Sequence, residues 1–269
     1  MKRQILSGIL ALAAGASFLM AQKQPQPKSQ KEVEAIQAMF NAPDPDARIK
    51  AADELIKKFA DTEFKAIALQ FAAASYQQKN DFEKMVTYAE LTLEADPQNY
   101  MSMLMLASGI AQRTREHDLD REEKLARSAK FATSALEVLK SAPKPNPQIT
   151  DEQWAGAVKD FASQAHEALG LGAMARKKYD VAVTEFKAAV EGATTADPAA
   201  VVRLAQAYNL SGKPDDALAA VEKINTMPDV HPSIKQFAQA ERVRAMQAKG
   251  GAAKPAAPPA PPQVEVKKP

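Results

Sequence analysis

Three histidines, one acidic cluster and one methionine run are the places where this chain has residues suited to chemistry. His117, His166 and His231 are its only imidazoles. His166-Glu167 opens like the zinc-protease helix motif, in which two histidines four residues apart grip a metal from one helix face. Gly170 stands where the second histidine belongs, so that motif is absent. Glu116, His117, Asp118, Asp120, Glu122 and Glu123 form the densest ionisable cluster. A calcium loop of the EF-hand type needs a glycine near Glu123 and a bidentate glutamate six residues beyond the glycine slot, where the chain has Ala129. The cluster reads instead as a helix start, with Asp118 or Asp120 as cap and Glu122 and Glu123 beside the positive end of the helix dipole. Met101, Met103 and Met105 alternate in "NYMSMLMLASGI", and with His117 they offer soft ligands for exported copper.

Other chemistries lack their residues. There is no cysteine, which excludes a disulfide framework, a thiol nucleophile, a thiolate metal site and a lipidated N-terminal cysteine. The chain has no glycine-rich phosphate loop, no Gly-x-Ser-x-Gly elbow and no interleaving of basic and aromatic residues of the kind that binds nucleic acid. The expectation is a non-enzyme, with no catalytic residue, no cofactor and no metal among its site residues.

The elements behind these residues begin with an export signal. Met1-Lys2-Arg3 is followed by an apolar run from Ile5 to Met20 and a polar turn at Gln22-Lys23-Gln24-Pro25. Residues 1–21 are expected to be a signal peptide cut after Ala21. Leu19 sits where a small residue is usual, so an uncut N-terminal anchor is the alternative. Without residues 1–21 the chain loses Lys2 and Arg3 from its 35 basic residues, leaving 33 to balance 33 acidic ones. A neutral mature chain gives no reason to expect nucleic acid or an anionic membrane as partner. The expected location is the periplasm or another exported compartment. Residues 22–30 are expected to form a flexible linker, 31–250 one helical domain, and 251–269, "GAAKPAAPPAPPQVEVKKP", a disordered proline- and alanine-rich tail.

Abundant alanine, glutamate, lysine and leucine with only 10 glycines among 269 residues favour helix throughout the domain. From Ala66 the chain repeats. "AIALQFAAASYQQKNDFEKMVTYAELTLEADPQN" reads as helix, polar turn at Lys79-Asn80-Asp81, helix, and Asp96-Pro97 as the next start. A second unit begins at Tyr100 with nine extra residues in a turn around 113–122. A third carries Leu169-Gly170, a turn at Lys177-Lys178-Tyr179, Ala182 and Phe186, and closes at Asp197-Pro198. A fourth carries Leu204-Ala205, Tyr208, Gly212, Ala217 and Val221. Lys31–Phe40 and Pro45–Ala60 form a shorter pair before the array. Ser233–Lys249 forms a closing amphipathic helix with Ile234, Phe237, Ala238 and Val243 on its apolar side. Pro143, Pro145 and Pro147 break the array before a Thr150-x-x-Gln153 capping box.

These units resemble the tetratricopeptide repeat, and the combination with a signal resembles its exported bacterial members. In the first unit Leu69, Ala72-Ala73, Tyr76 and Asn80-Asp81-Phe82 fall on the repeat's large, small, aromatic and turn positions. The resemblance implies an all-α solenoid of about four helix pairs, with an N-terminal helical pair and a C-terminal capping helix. It also implies a concave groove, lined by the first helix of each unit, that takes a peptide or helix of a partner protein.

Helical spacing places Ile67, Gln70, Phe71, Ala74 and Gln78 on that groove in the first unit, and Met101, Leu104, Met105, Ser108 and Gln112 in the second. Glu167 and Leu171 follow in the third, then Val202, Arg203 and Gln206 in the fourth. The same spacing turns Met103, Leu106 and Ile110 to the packing side, which splits the three methionines and weakens the copper reading. The Lys, Asn and Arg carboxylate clamp known in the family has no counterpart here beyond Arg203. The expected function is a non-enzymatic interaction scaffold of the cell envelope with an envelope or secreted protein as partner, and copper handling is the alternative.

Overall fold

The computed structural model describes residues 25–250. The expected signal, the start of the expected linker and the proline-rich tail lie outside the described residues. Among the described residues the elements are all helices: α1 (Gln30–Phe40), α2 (Pro45–Lys58), α3 (Lys65–Gln78), α4 (Phe82–Ala95), α5 (Tyr100–Arg113) and α6 (Arg121–Leu139). They continue as α7 (Asp151–Ala175), α8 (Tyr179–Gly192), α9 (Pro198–Leu210), α10 (Pro214–Thr226) and α11 (Pro232–Lys249). Each helix packs chiefly on its chain neighbours, and α5 also touches α3 and α7, as α11 touches α9. This is an α-solenoid of four regular pairs, α3/α4 to α9/α10, with α1/α2 before them and α11 as the cap.

The starts follow from capping chemistry. Asp44 caps α2 with Pro45 in the first turn, and Asp197 does the same for α9 ahead of Pro198. At α7 the expected capping box is formed: the Gln153 N–H donates to Thr150 Oγ1 at 3.1 Å, and the Thr150 N–H donates to Gln153 Oε1 at 3.0 Å. Asp96 differs from expectation. It ends α4, its Oδ1 accepts from the Gln98 N–H at 3.0 Å, and Asn99 is the residue that caps α5. At α6 Asp120 holds the cap position without a side-chain cap bond, while Asp118 accepts from the Arg115 N–H at 3.1 Å and closes the inserted loop instead.

Three of the turns between paired helices have one geometry. Each has three residues with the middle one left-handed: Asn80 at φ 57°, Lys177 at φ 58° and Gly212 at φ 75°. In each the next N–H reaches back to a carbonyl in the last turn: Asp81 to Tyr76 at 3.0 Å, Lys178 to Ala173 at 2.9 Å and Lys213 to Tyr208 at 2.8 Å. That is the Schellman closure, which satisfies orphan carbonyls and reverses the chain within three residues.

The core is strung along the array. Small residues bring the helices together: Ala68, Ala72, Ala73, Ala89, Ala107, Ala132, Ala182 and Ala205 are all fully buried. Gly170 lets α7 meet α8 so closely that a Cβ there would lie 2.7 Å from two ring carbons of the fully buried Phe186. The closing helix packs differently from expectation. It buries Ala238, Glu241 and Ala245, while Phe237 and Val243 are 41% and 43% exposed, because α9 and α10 approach only one side of it.

A recurrent contact fixes the stacking of the units. An acidic residue at the second position of one unit's second helix meets a cation at the end of the next unit's first helix. Asp46 pairs with Lys79, Glu122 with Arg176 at 2.8 Å, Asp180 with Lys213 at 2.8 Å, and Asp215 with Lys249. At the remaining seam Arg113, the last residue of α5, lies 4.8 Å from the ring centroid of Phe82, the first residue of α4. The pairing matches the helix dipoles, since acids stand at N-termini and bases at C-termini. The hydrogen bond from Lys213 holds Asp180, and that bond raises the Lys213 pKa; the bond to Arg176 lowers that of Glu122.

Candidate functional site

The first helices α3, α5, α7 and α9 carry every residue expected on the groove, but the structure sorts them into different roles. Leu104 does not line an open face. It is 3% exposed and packed with Ala132, Ala135, Ala165 and Ala168, because α7 crosses over this side of α5. Met105 packs against the cluster of Tyr76, Met85 and Leu106; Leu171 and Val202 pack against the cluster around Phe186 and Val201. Ile67 and Phe71 border the N-terminal cluster, with Phe40 edge-on to Phe71 at 5.0 Å between centroids. Ala74, Ser108 and Gln206 are half-buried, and Gln78 and Gln112 are exposed.

Two polar positions of the stripe are tied across units. Gln70 Oε1 accepts from Asn99 Nδ2 at 2.8 Å, which joins α3 to the start of α5. Glu167 on α7 pairs with Arg203 on α9. Burial holds the Glu167 carboxyl above its ordinary pKa, with Arg203 opposing the shift and Asp197 adding to it. His166 turns the other way along α7 and meets Glu185 Oε2 of α8 at 2.8 Å.

The methionines separate. Met103 is buried in the α5/α6/α7 cluster, Met105 borders the preceding cluster, and Met101 is 37% exposed. No group of three or more histidine, aspartate or glutamate side chains is placed to hold a metal among the described residues. The acidic residues of 116–123 are engaged in ion pairs instead. Glu116 meets Lys177 at 3.0 Å, and Asp118 and Asp120 meet Lys124 at 3.0 and 2.9 Å.

Met101 opens onto a cavity of about 560 Å³. It lies at the edge of the array where α5 and α7 begin and α6 ends. Tyr100, Trp154 and Phe161 form its aromatic wall, with centroids 5.2 to 6.5 Å apart. Val138, Ala142, Pro143, Ile149 and Ala157 complete the apolar lining, and Gln70, Asp96, Gln98 and Asn99 stand on the polar side. Trp154 Nε1 donates to the Ala142 carbonyl at 3.1 Å and so pins the proline-rich loop 140–150 beside the pocket. Burial raises the Tyr100 pKa, which keeps its hydroxyl protonated across the physiological range. A pocket of this size, apolar with a few polar groups at one side, suits a large apolar side chain and the backbone beside it.

Sequence reading expected Gln70 and Met101 on this surface and missed Tyr100, Trp154, Phe161 and the loop. One signal was available. Trp154 is the only tryptophan, and it sits on the part of α7 that precedes the third unit's recognisable pattern.

No protein-family profile matches the sequence, and no curated protein matches it. Among solved structures, a thermophilic TPR protein of Thermus thermophilus superposes with a TM-score of 0.52 at 16% identity, over 80% of this chain and 98% of that one. The chain has the tetratricopeptide-repeat fold. A tetratricopeptide repeat protein from Parabacteroides merdae gives 0.42 at 15% identity over 82% and 93% of the two chains. The assembly chaperone of RpL4, residues 1–338, gives 0.45 at 13% identity over 84% and 99%. The expected repeat register thus holds for the fold of this protein. No helix among the described residues is long and apolar enough to cross a membrane.

Proposed function

We propose that the chain is an exported, non-enzymatic scaffold that holds a segment of a partner protein on its first-helix face, with one large apolar side chain seated against Tyr100, Trp154 and Phe161. The observation that carries this reading is the aromatic pocket beside Met101, where uncommitted apolar surface meets polar groups able to bond a peptide backbone. The signal-like N-terminus supports an envelope or secreted partner. The copper alternative has no comparable support, since the three sulfurs fall into three different surroundings.

The pocket contains its own reporter, because Trp154 is the sole tryptophan. A photo-cross-linking amino acid at position 101 is used to capture partner segments from envelope fractions, which are then made as peptides and titrated against Trp154 emission. Occupancy shifts the emission, and Met101→Glu or Ala157→Leu weakens binding by about tenfold or more. Peptides that bind without moving Trp154 emission and tolerate both substitutions refute the pocket. Recovery of the protein only from the cytoplasmic fraction refutes export.

A further inference from the structure

The outward side of α11 is bare in an unusual way. Gln236, Gln239, Ala240, Val243, Met246 and Gln247 recur at helical spacing on the side opposite the buried Ala238, Glu241 and Ala245. All six are exposed, and none is charged. A cap that ends a solenoid normally meets water with a charged face, since no further unit covers it. Here Lys235, Arg242 and Arg244 stand at the margins of the face instead.

We propose that residues 255–264 of the same chain cover this face, running back along α11 as a polyproline strand. The chain beyond α11 resumes at Gly250-Gly251, a dipeptide suited to a sharp reversal. After Lys254 comes "PAAPPAPPQV", ten residues without a charge before Glu265, and its prolines at 255, 258, 259, 261 and 262 bar a helix. Lengths agree. The 18 residues of α11 span about 27 Å, and ten residues of polyproline II span about 31 Å. An uncharged segment would thus lie on an uncharged face, with Lys254 near the open end of α11 and Glu265 returned toward its start. A polyproline strand has low conformational freedom to lose on docking, so apolar contact with Val243 and Met246 need offset little entropy.

The test compares the full chain with a chain ended after Gly250 and with Val243→Glu. The truncation retains every helix of the described residues, and Val243 is exposed, so neither change disturbs the described core. The full chain should show nuclear Overhauser contacts between the Met246 methyl and proline ring protons. Amide exchange in 236–247 should quicken about tenfold in both variants. Contacts absent in the full chain, with exchange unchanged by truncation, overturn the proposal. It is equally overturned if contacts appear only between differently labelled molecules, or if the truncated chain dimerises through α11 no more than the full chain while its exchange stays slow.

Discussion

Replacing Gly170 by alanine tests whether close approach of α7 and α8 is what holds the third unit together. The added Cβ would lie 2.7 Å from Cδ1 and Cε1 of Phe186 and 3.0 Å from Cγ, well inside ordinary carbon contact. Phe186 is fully buried, so its ring has no open space to enter. Overpacking of this kind costs about 1–3 kcal/mol, and alanine returns about 1 kcal/mol through helix propensity. The net expectation is a loss of about 1–2 kcal/mol, read as a lower urea midpoint at unchanged slope. Gly109→Ala is the control, because its nearest contact is also 2.7 Å away but is the terminal methyl of Met85. That atom ends a flexible side chain that can re-aim, so the control should stay within about 0.5 kcal/mol of the parent. Phe186→Leu made in the Gly170→Ala background should cost less than in the parent, with a coupling of about 1 kcal/mol. If Gly170→Ala is as stable as Gly109→Ala and the cycle shows no coupling, the close-approach argument is wrong.

Lys177→Gly should stabilise the protein by about 0.5–1 kcal/mol in urea unfolding, because the lysine occupies a left-handed turn position that costs it steric strain. Glu32 is buried and accepts from Thr62 Oγ1 and the Lys28 N–H, both at 2.6 Å, so Glu32→Ala should lower stability by about 1–3 kcal/mol by leaving Thr62 unpaired. Glu167 sets a pH dependence. Its folded pKa is raised above the ordinary 4.5, so the folded state holds that proton longer and the group's favourable share is lost as pH climbs from 4.5 through the raised value. Unfolding of the parent and Glu167→Gln between pH 4 and 7 should show the parent losing ground as pH rises, and parallel curves would refute the sign.

Much of the fold was legible because a solenoid is built from local contacts. Asp44-Pro45 and Thr150-x-x-Gln153 announce helix starts through capping groups within four residues of each other, and the structure forms both. The repeat register placed the turns at Asn80, Lys177 and Gly212 for the same reason. What failed needed information from a neighbouring unit. Leu104 has groove spacing on its own helix, yet α7 covers it, and helix periodicity cannot show which faces a later segment will cross. Phe237 and Val243 failed in reverse: their apolar character suggested burial, but no unit follows α11 to bury them among the described residues. Asp96 lost its expected cap to Asn99 because both residue types suit the task and only three positions separate them.

The pocket arises where the repeat breaks, and that explains why a groove reading spread over four units narrows to one place. Regular second helices hand over to the next first helix through short links, 96–99 after α4 and 193–197 after α8, whereas α6 and α7 are joined by residues 140–150. α7 also runs 25 residues where α3 and α5 run 14, and its extra length projects Trp154 and Phe161 past the end of the stacked array toward Tyr100. Elsewhere along the face the repeat uses up its own groups. Gln70 is bonded to Asn99, Glu167 to Arg203, and Leu104, Leu171 and Val202 are drawn into the packing of adjacent helices. Groups committed to neighbours contribute little to a partner, since binding must first replace what they already have. Apolar surface left over by the packing therefore gathers where an irregular loop and an overlong helix prevent the next turn of stacking from covering it.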